Sequence, residues 1–135
     1  MSALHESHIT GLHLRNRGKV RDNLVELYGE IQKLDENVGR LLDYLDENDL
    51  TENTLIVYTS DQGFFLGEHG WYDKRFMYEE SMRTPLIIRY PAEIAPGSRA
   101  GELVANLDLA PTILDYAGLP VPAEMQGRSL RALTG

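Results

Sequence analysis

Only two stretches of this chain read as β-strands, too few for a sheet that stands alone. Leu55-Ile56-Val57-Tyr58 lies in an apolar run from Thr54 to Thr59. Leu86-Ile87-Ile88-Arg89-Tyr90 follows Pro85 and closes at Pro91. Both runs are nearly continuously apolar, the pattern of strands buried on both faces in a parallel sheet. Each strand of such a sheet needs neighbours on both sides. Two strands with two or three helices therefore predict an α/β chain that is a slice of a larger domain.

The helices are marked by period and punctuation. From about Gly18 to Asn48, Leu24, Leu27, Tyr28, Ile31, Leu34, Val38, Leu41, Leu42 and Leu45 recur at steps of three and four. That is one apolar stripe on a charged cylinder, and it predicts a helix packed on a sheet face. Its core from Asn23 to Leu45 spans roughly 33 Å at the helical rise per residue. Glu36 and Arg40 fall four apart on the wet side, as an ion pair requires. A shorter helix is predicted near Phe76 to Met82, because a 25-residue connection over 61–85 needs internal structure or a function. A further helix should begin at a capping Asp108, accept Pro111 in its first turn, and stop at Gly118 and Pro120. The segment after it reads as loop. Residues 1–17, with His5, His8 and His13, read as a polar lead-in, and 18–135 as the folded part.

Composition excludes several partners. A net charge of −8 and a pI near 4.9, with no basic block, argue against nucleic acid or an anionic membrane surface. There is no cysteine, hence no disulfide framework, thiol nucleophile or thiolate metal site. No apolar run approaches the ~18 residues of a membrane span, and Met1–Glu6 lacks the basic-then-apolar order of an export signal.

The chemistry is concentrated in Thr59-Ser60-Asp61-Gln62-Gly63-Phe64-Phe65-Leu66-Gly67-Glu68-His69-Gly70-Trp71-Tyr72-Asp73-Lys74. Here a strand ends and releases polar groups into a Gly-punctuated loop, where open α/β sheets build their sites. Asp61 and Gln62 are adjacent hard oxygen donors suited to Ca²⁺ or Mg²⁺. Taken alone, a turn-capping Asp beside an exposed Gln explains them more simply. Lys74 can set an ammonium on a sulfate or phosphate oxygen; the simpler account is a surface pair with Asp73. His69 suits an acid, base or hydrogen-bond donor, and equally a structural donor. Trp71 and Tyr72 read as anchors of the long loop rather than as a sugar platform. Glu79, Glu80 and Arg83 read as a surface ion-pair cluster.

In order along the chain, these features resemble the sulfatase family. The run "LDENVGRLLDYLDENDLTENTLIVYTSDQGFFLGEHGWYDKRFMYEESMRTPLIIRYP", with "NLDLAPTILDYAGLPVPAEMQGRSL", is similar to the central part of a sulfatase. It is most similar to bacterial carbohydrate sulfatases of the N-acetylglucosamine-6-sulfatase and iduronate-2-sulfatase type, over about residues 20–130. The resemblance implies a partial alkaline-phosphatase-like α/β/α sandwich and hydrolysis of sulfate esters on carbohydrates. It implies that Asp61 and Gln62 are Ca²⁺ ligands, with Gln62 standing where many relatives carry Asn or His. Lys74 would contact the substrate sulfate, and His69 matches a histidine of the same loop.

The resemblance also implies what this chain should lack. The family's nucleophile is a hydrated formylglycine made from the Cys or Ser of a C/S-x-P-x-R motif. None of Ser2, Ser7, Ser60, Ser81, Ser98 and Ser129 opens such a motif here. The first pair of Asp ligands has no counterpart either. The expectation is therefore a fragment that is inactive alone and prone to self-association through uncovered sheet edges. Two alternatives stand beside it. One is a phosphoesterase or phosphonate hydrolase of the same superfold, and the other a non-catalytic binding or assembly module.

Overall fold

The computed structural model describes residues 17–134; the lead-in, with its three histidines, lies outside the described residues. The chain divides into two units. One holds the chain up to Leu45 with Ser60–Pro85, and the other Asp46–Thr59 with Leu86–Gly135.

The apolar stripe does form one long helix, α1 (Arg17–Glu47). Its charged side is laced by short-range contacts, though not by the expected pair. Gln32 donates to Glu36 at 2.9 Å, Lys33 meets Glu30 at 3.0 Å, and Arg40 turns to Asn37. The stripe is only half covered: Leu24, Leu27, Val38, Leu42 and Leu45 are half-buried. Tyr28 and Leu41 remain 63% and 58% exposed. The described sheet has two strands of four residues, far shorter than the helix.

The strands β1 (Ile56–Thr59) and β2 (Leu86–Arg89) pair antiparallel, with Ile56 opposite Arg89 and Thr59 opposite Leu86. This corrects the expected parallel pairing. Because Thr59 faces Leu86, the long connection leaves and returns at one end of the ladder, which an antiparallel pair allows and a parallel one does not. Nor are the strands buried on both faces. The opposed Tyr58 and Ile87 are exposed, while their neighbours are half-buried. A short apolar run does not by itself reveal strand direction.

The second unit is held by a buried polar centre as well as by apolar packing. Helix α3 (Leu109–Tyr116) follows a 3₁₀ turn at Asn106–Asp108 and carries Pro111 and Thr112 buried in its first turns. It ends as predicted at Gly118, whose φ of 69° is open to glycine without strain. The Leu119 N–H donates to the Leu114 carbonyl at 2.9 Å and the Gly118 N–H to the Asp115 carbonyl at 3.0 Å. That double closure satisfies the helix's last carbonyls. The Thr112 hydroxyl donates to the Asp108 carbonyl at 2.6 Å and accepts the Leu130 N–H at 2.9 Å. Leu130 is itself buried.

The segment through Leu130 is loop, as expected, and a short helix α4 (Arg131–Thr134) follows it. Arg131 lies over the Tyr116 ring at 4.9 Å, pairs with Glu93, and donates to the Asp115 carbonyl at 3.0 Å. Glu93, followed by Asp115, holds the guanidinium above its ordinary range.

Candidate functional site

The polar loop after β1 is organised by its own backbone. The Ser60 hydroxyl donates to the Gln62 carbonyl at 2.8 Å and so fixes the turn that presents Asp61 and Gln62. The Gly63 N–H donates to the Ser81 carbonyl at 2.9 Å, and the Phe65 N–H to the Asp73 carbonyl at 2.7 Å. These bonds fold the connection back on itself and bring residues 62–65 beside 73–81. Glycine is required at 63, because a Cβ there would lie 2.2 Å from the Glu80 carbonyl oxygen.

An aromatic cluster secures the fold of this loop. Phe65 is fully buried, with the rings of His69, Trp71 and Tyr78 around it at 5.9–6.0 Å in edge-to-face contact. Trp71 also packs on Phe76, and Tyr72 meets Phe64 edge-on at 5.1 Å. Trp71 and Tyr72 are therefore anchors, as the sequence suggests. Phe76 and Tyr78 are committed to this cluster, so helix α2 (Glu79–Met82) is shorter than predicted and starts only after Tyr78.

His69 sits in a 3₁₀ turn at Glu68–Gly70 with φ of 56°, a left-handed conformation unusual outside glycine. Its ring stacks on Tyr78 at 4.8 Å, and Nε2 lies 3.2 Å from Glu80 Oε1. The neighbouring Glu68 carboxylate accepts the Leu66 N–H at 2.6 Å. Its own backbone N–H first, and then that of Leu66, hold it below the usual carboxylate range. Glu80, read from sequence as part of a surface cluster with Arg83, is instead the partner of His69. The two are eleven residues apart and lie in separate elements, the 3₁₀ turn and α2, so no single element's period pairs them.

Gln62 and Lys74 are brought together. The Gln62 side-chain amide donates to the Lys74 carbonyl and also reaches the Ser81 hydroxyl at 3.5 Å; that hydroxyl donates to the Lys74 carbonyl at 2.7 Å. With its NH₂ group so engaged, the Gln62 amide turns its carbonyl oxygen away from Lys74. That oxygen is the end a hard cation takes. Asp73 binds the Lys74 N–H at 2.6 Å and the Arg75 guanidinium at 2.8 Å. Its carboxylate is thus engaged by the Arg75 guanidinium and by the Lys74 backbone N–H. Asp61 and Lys74 are both exposed.

The donor set fits part of a calcium shell and not all of it. Asp61 and Gln62 are hard oxygen donors, but no group of three or more His, Asp or Glu placed to hold a metal exists among the described residues. A strand end with oxygen donors, a lysine and a histidine in one loop carries residue types suited to a cation and a tetrahedral oxyanion.

Comparison with known proteins narrows this class. Residues 67–135 match the family model of the C-terminal part of N-sulphoglucosamine sulphohydrolase. Residues 11–71 match that of type I phosphodiesterase / nucleotide pyrophosphatase. The chain is 55% identical over 113 residues to N-acetylglucosamine-6-O-sulfatase of Bacteroides thetaiotaomicron, covering 84% of this chain and 20% of that protein. A solved structure in complex with its substrate D-glucosamine-2-N,6-O-disulfate superimposes with a TM-score of 0.75 at 59% identity, over 77% of this chain and 21% of the other. The phosphonate monoester hydrolase of Silicibacter pomeroyi superimposes with a TM-score of 0.70 at 41% identity, over 75% of this chain and 20% of the other.

The chain belongs to the sulfatase family. It spans about a fifth of the length of these relatives, and its α/β fold is part of their larger alkaline-phosphatase-like sandwich.

Proposed function

We propose that the loop from Asp61 to Lys74 forms one side of a site that hydrolyses sulfate esters of carbohydrates. The observation that carries this reading is the fold-back that ties the Gln62 amide to the Lys74 backbone. It joins a candidate metal ligand to a candidate oxyanion contact, in a chain 55% identical to an N-acetylglucosamine-6-O-sulfatase. In this reading the Lys74 ammonium binds a non-bridging sulfate oxygen as a point charge. His69, oriented by Glu80 and Tyr78, donates a hydrogen bond or a proton near the ester oxygen. Asp61 and Gln62 hold Ca²⁺, which offsets charge on the sulfate. The nucleophile and the remaining ligands come from outside these 135 residues.

The test is a chimera in which this chain replaces its counterpart in the Bacteroides relative. Hydrolysis of a 6-O-sulfated glucosamine is expected, with Lys74→Ala lowering kcat/KM about 100-fold, as for loss of an oxyanion contact. A folded, active chimera indifferent to Lys74→Ala sinks the assignment. The likeness to a phosphonate monoester hydrolase favours one second reading, in which the same loop receives a phosphonate monoester. Faster turnover of an aryl phosphonate monoester than of the sulfate ester in the same chimera would select it.

A further inference from the structure

Ser81 is the one buried polar side chain of the loop between the strands, only 5% exposed, and the reading above gives it no part in binding. Resting on that reading, we propose that Ser81 is a positioning residue that couples Gln62 to Lys74, so that cation and sulfate affinity rise and fall together.

Four bonds carry the argument. The Ser81 hydroxyl donates to the Lys74 carbonyl at 2.7 Å and faces Gln62 Nε2 at 3.5 Å. The Ser81 carbonyl accepts the Gly63 N–H at 2.9 Å, while its own N–H donates to the Tyr78 carbonyl at 3.0 Å. Ser81 is therefore fixed on α2 and grips the loop at both of the places the site uses. A side-chain amide has two chemically opposite ends, and its orientation is set by what its NH₂ group meets. With Ser81 Oγ and the Lys74 carbonyl on the NH₂ side, the oxygen end is left to a cation. Without the hydroxyl, Gln62 keeps one acceptor, and the amide is free to rotate and present its NH₂ group instead. The Lys74 carbonyl loses one of its two donors in the same step, so the backbone that carries the lysine loosens too.

The experiment uses the full chain, isotope-labelled for NMR, with inorganic sulfate and Mn²⁺ as separate probes. Sulfate should shift the Lys74 resonances, and Mn²⁺ should broaden those of Asp61 and Gln62. In Ser81→Ala both affinities should fall about tenfold, the effect typical of removing an outer-shell partner. Ser81→Thr, which keeps the hydroxyl, should restore most of both. Unchanged backbone amide shifts and exchange protection at Phe65 and Trp71 in Ser81→Ala separate this effect from a general loosening of the loop. If the alanine variant unfolds, Ser81→Cys, near in volume and a weak donor, should weaken both probes in its place. A folded Ala or Cys variant that loses neither affinity, or only one, overturns the coupling. If the native chain binds neither probe at these residues, the same titrations are made on the chimera, and a folded chimera that binds neither there removes the reading beneath it, and the coupling with it.

Discussion

Asp108 Oδ1 accepts the backbone N–H of Arg128 at 2.9 Å, twenty residues away, while Oδ2 accepts that of Ala105 at 2.9 Å. The carboxylate expected to cap α3 thus faces backward and across, binding the C-terminal segment to the start of the helix. These two N–H groups, that of Arg128 foremost, hold its pKa below the ordinary carboxylate range. A group whose folded pKa is lowered contributes stability above its unfolded pKa and loses it as pH falls through the folded value. Urea unfolding should accordingly show stability falling below about pH 4, near the ordinary Asp value. Asp108→Asn should cost about 1–3 kcal/mol at neutral pH by setting an NH₂ group against a backbone donor, and should flatten the acid limb. An unchanged acid limb in that variant would refute the assignment.

Gly63 is expected to tolerate no side chain. The Cβ of Gly63→Ala would meet the Glu80 carbonyl at 2.2 Å and the Ser81 carbonyl at 3.2 Å, so α2 must move away from the loop. Overpacking of this kind costs about 1–3 kcal/mol. Hydrogen exchange at the Phe65 N–H, which donates to the Asp73 carbonyl, should accelerate in the variant. Unaltered protection there would show that the loop is not held against α2 as described.

Calcium binding to this chain should be weak. Asp61 and Gln62 supply one charge and at most three oxygens, against the ~6–8 that Ca²⁺ takes. Titration calorimetry should give an affinity no better than ~10⁻³ M, typical of the weakest calcium modules. Micromolar binding abolished by Asp61→Ala would mean that further ligands are present in the chain.

Self-association is expected from the uncovered stripe of α1. Ile31, Leu34 and Leu41 are each at least half exposed, and contiguous apolar surface of this kind is a liability in water. Sedimentation should detect dimers or larger species, and the double variant Leu34→Lys, Leu41→Lys should shift them toward monomer. A stable monomer with an unchanged profile in the variant would contradict this.

Much of the fold was legible because its signals are local. The end of α3 follows from Gly118, since a left-handed residue closes a helix wherever it falls. The extent of α1 follows from a repeat of three and four that only a helix puts on one face. Asp61, Gln62, His69 and Lys74, proposed above as the site, were legible as residue types, and the family resemblance as an ordered set of motifs. The partners of those residues were not. Ser81 lies nineteen positions from Gln62, and Glu80 eleven from His69, and each pair joins separate segments, so no single element's period reveals it.

By itself, then, the sequence determined the long helix α1, the end of α3, the two strands and the family. Each of these rests on preferences expressed over a few residues or on motif order. Tertiary structure alone decided that β1 and β2 run antiparallel, that Glu80 holds His69, and that Asp108 reaches Arg128 rather than capping α3. It also decided that Gln62, Lys74 and Ser81 meet. The physical reason is that a backbone or side-chain donor or acceptor turned from water must find a partner, and which partner it finds depends on where the chain brings the backbone back. For the loop between the strands, Phe65 and its aromatic neighbours hold that return in place.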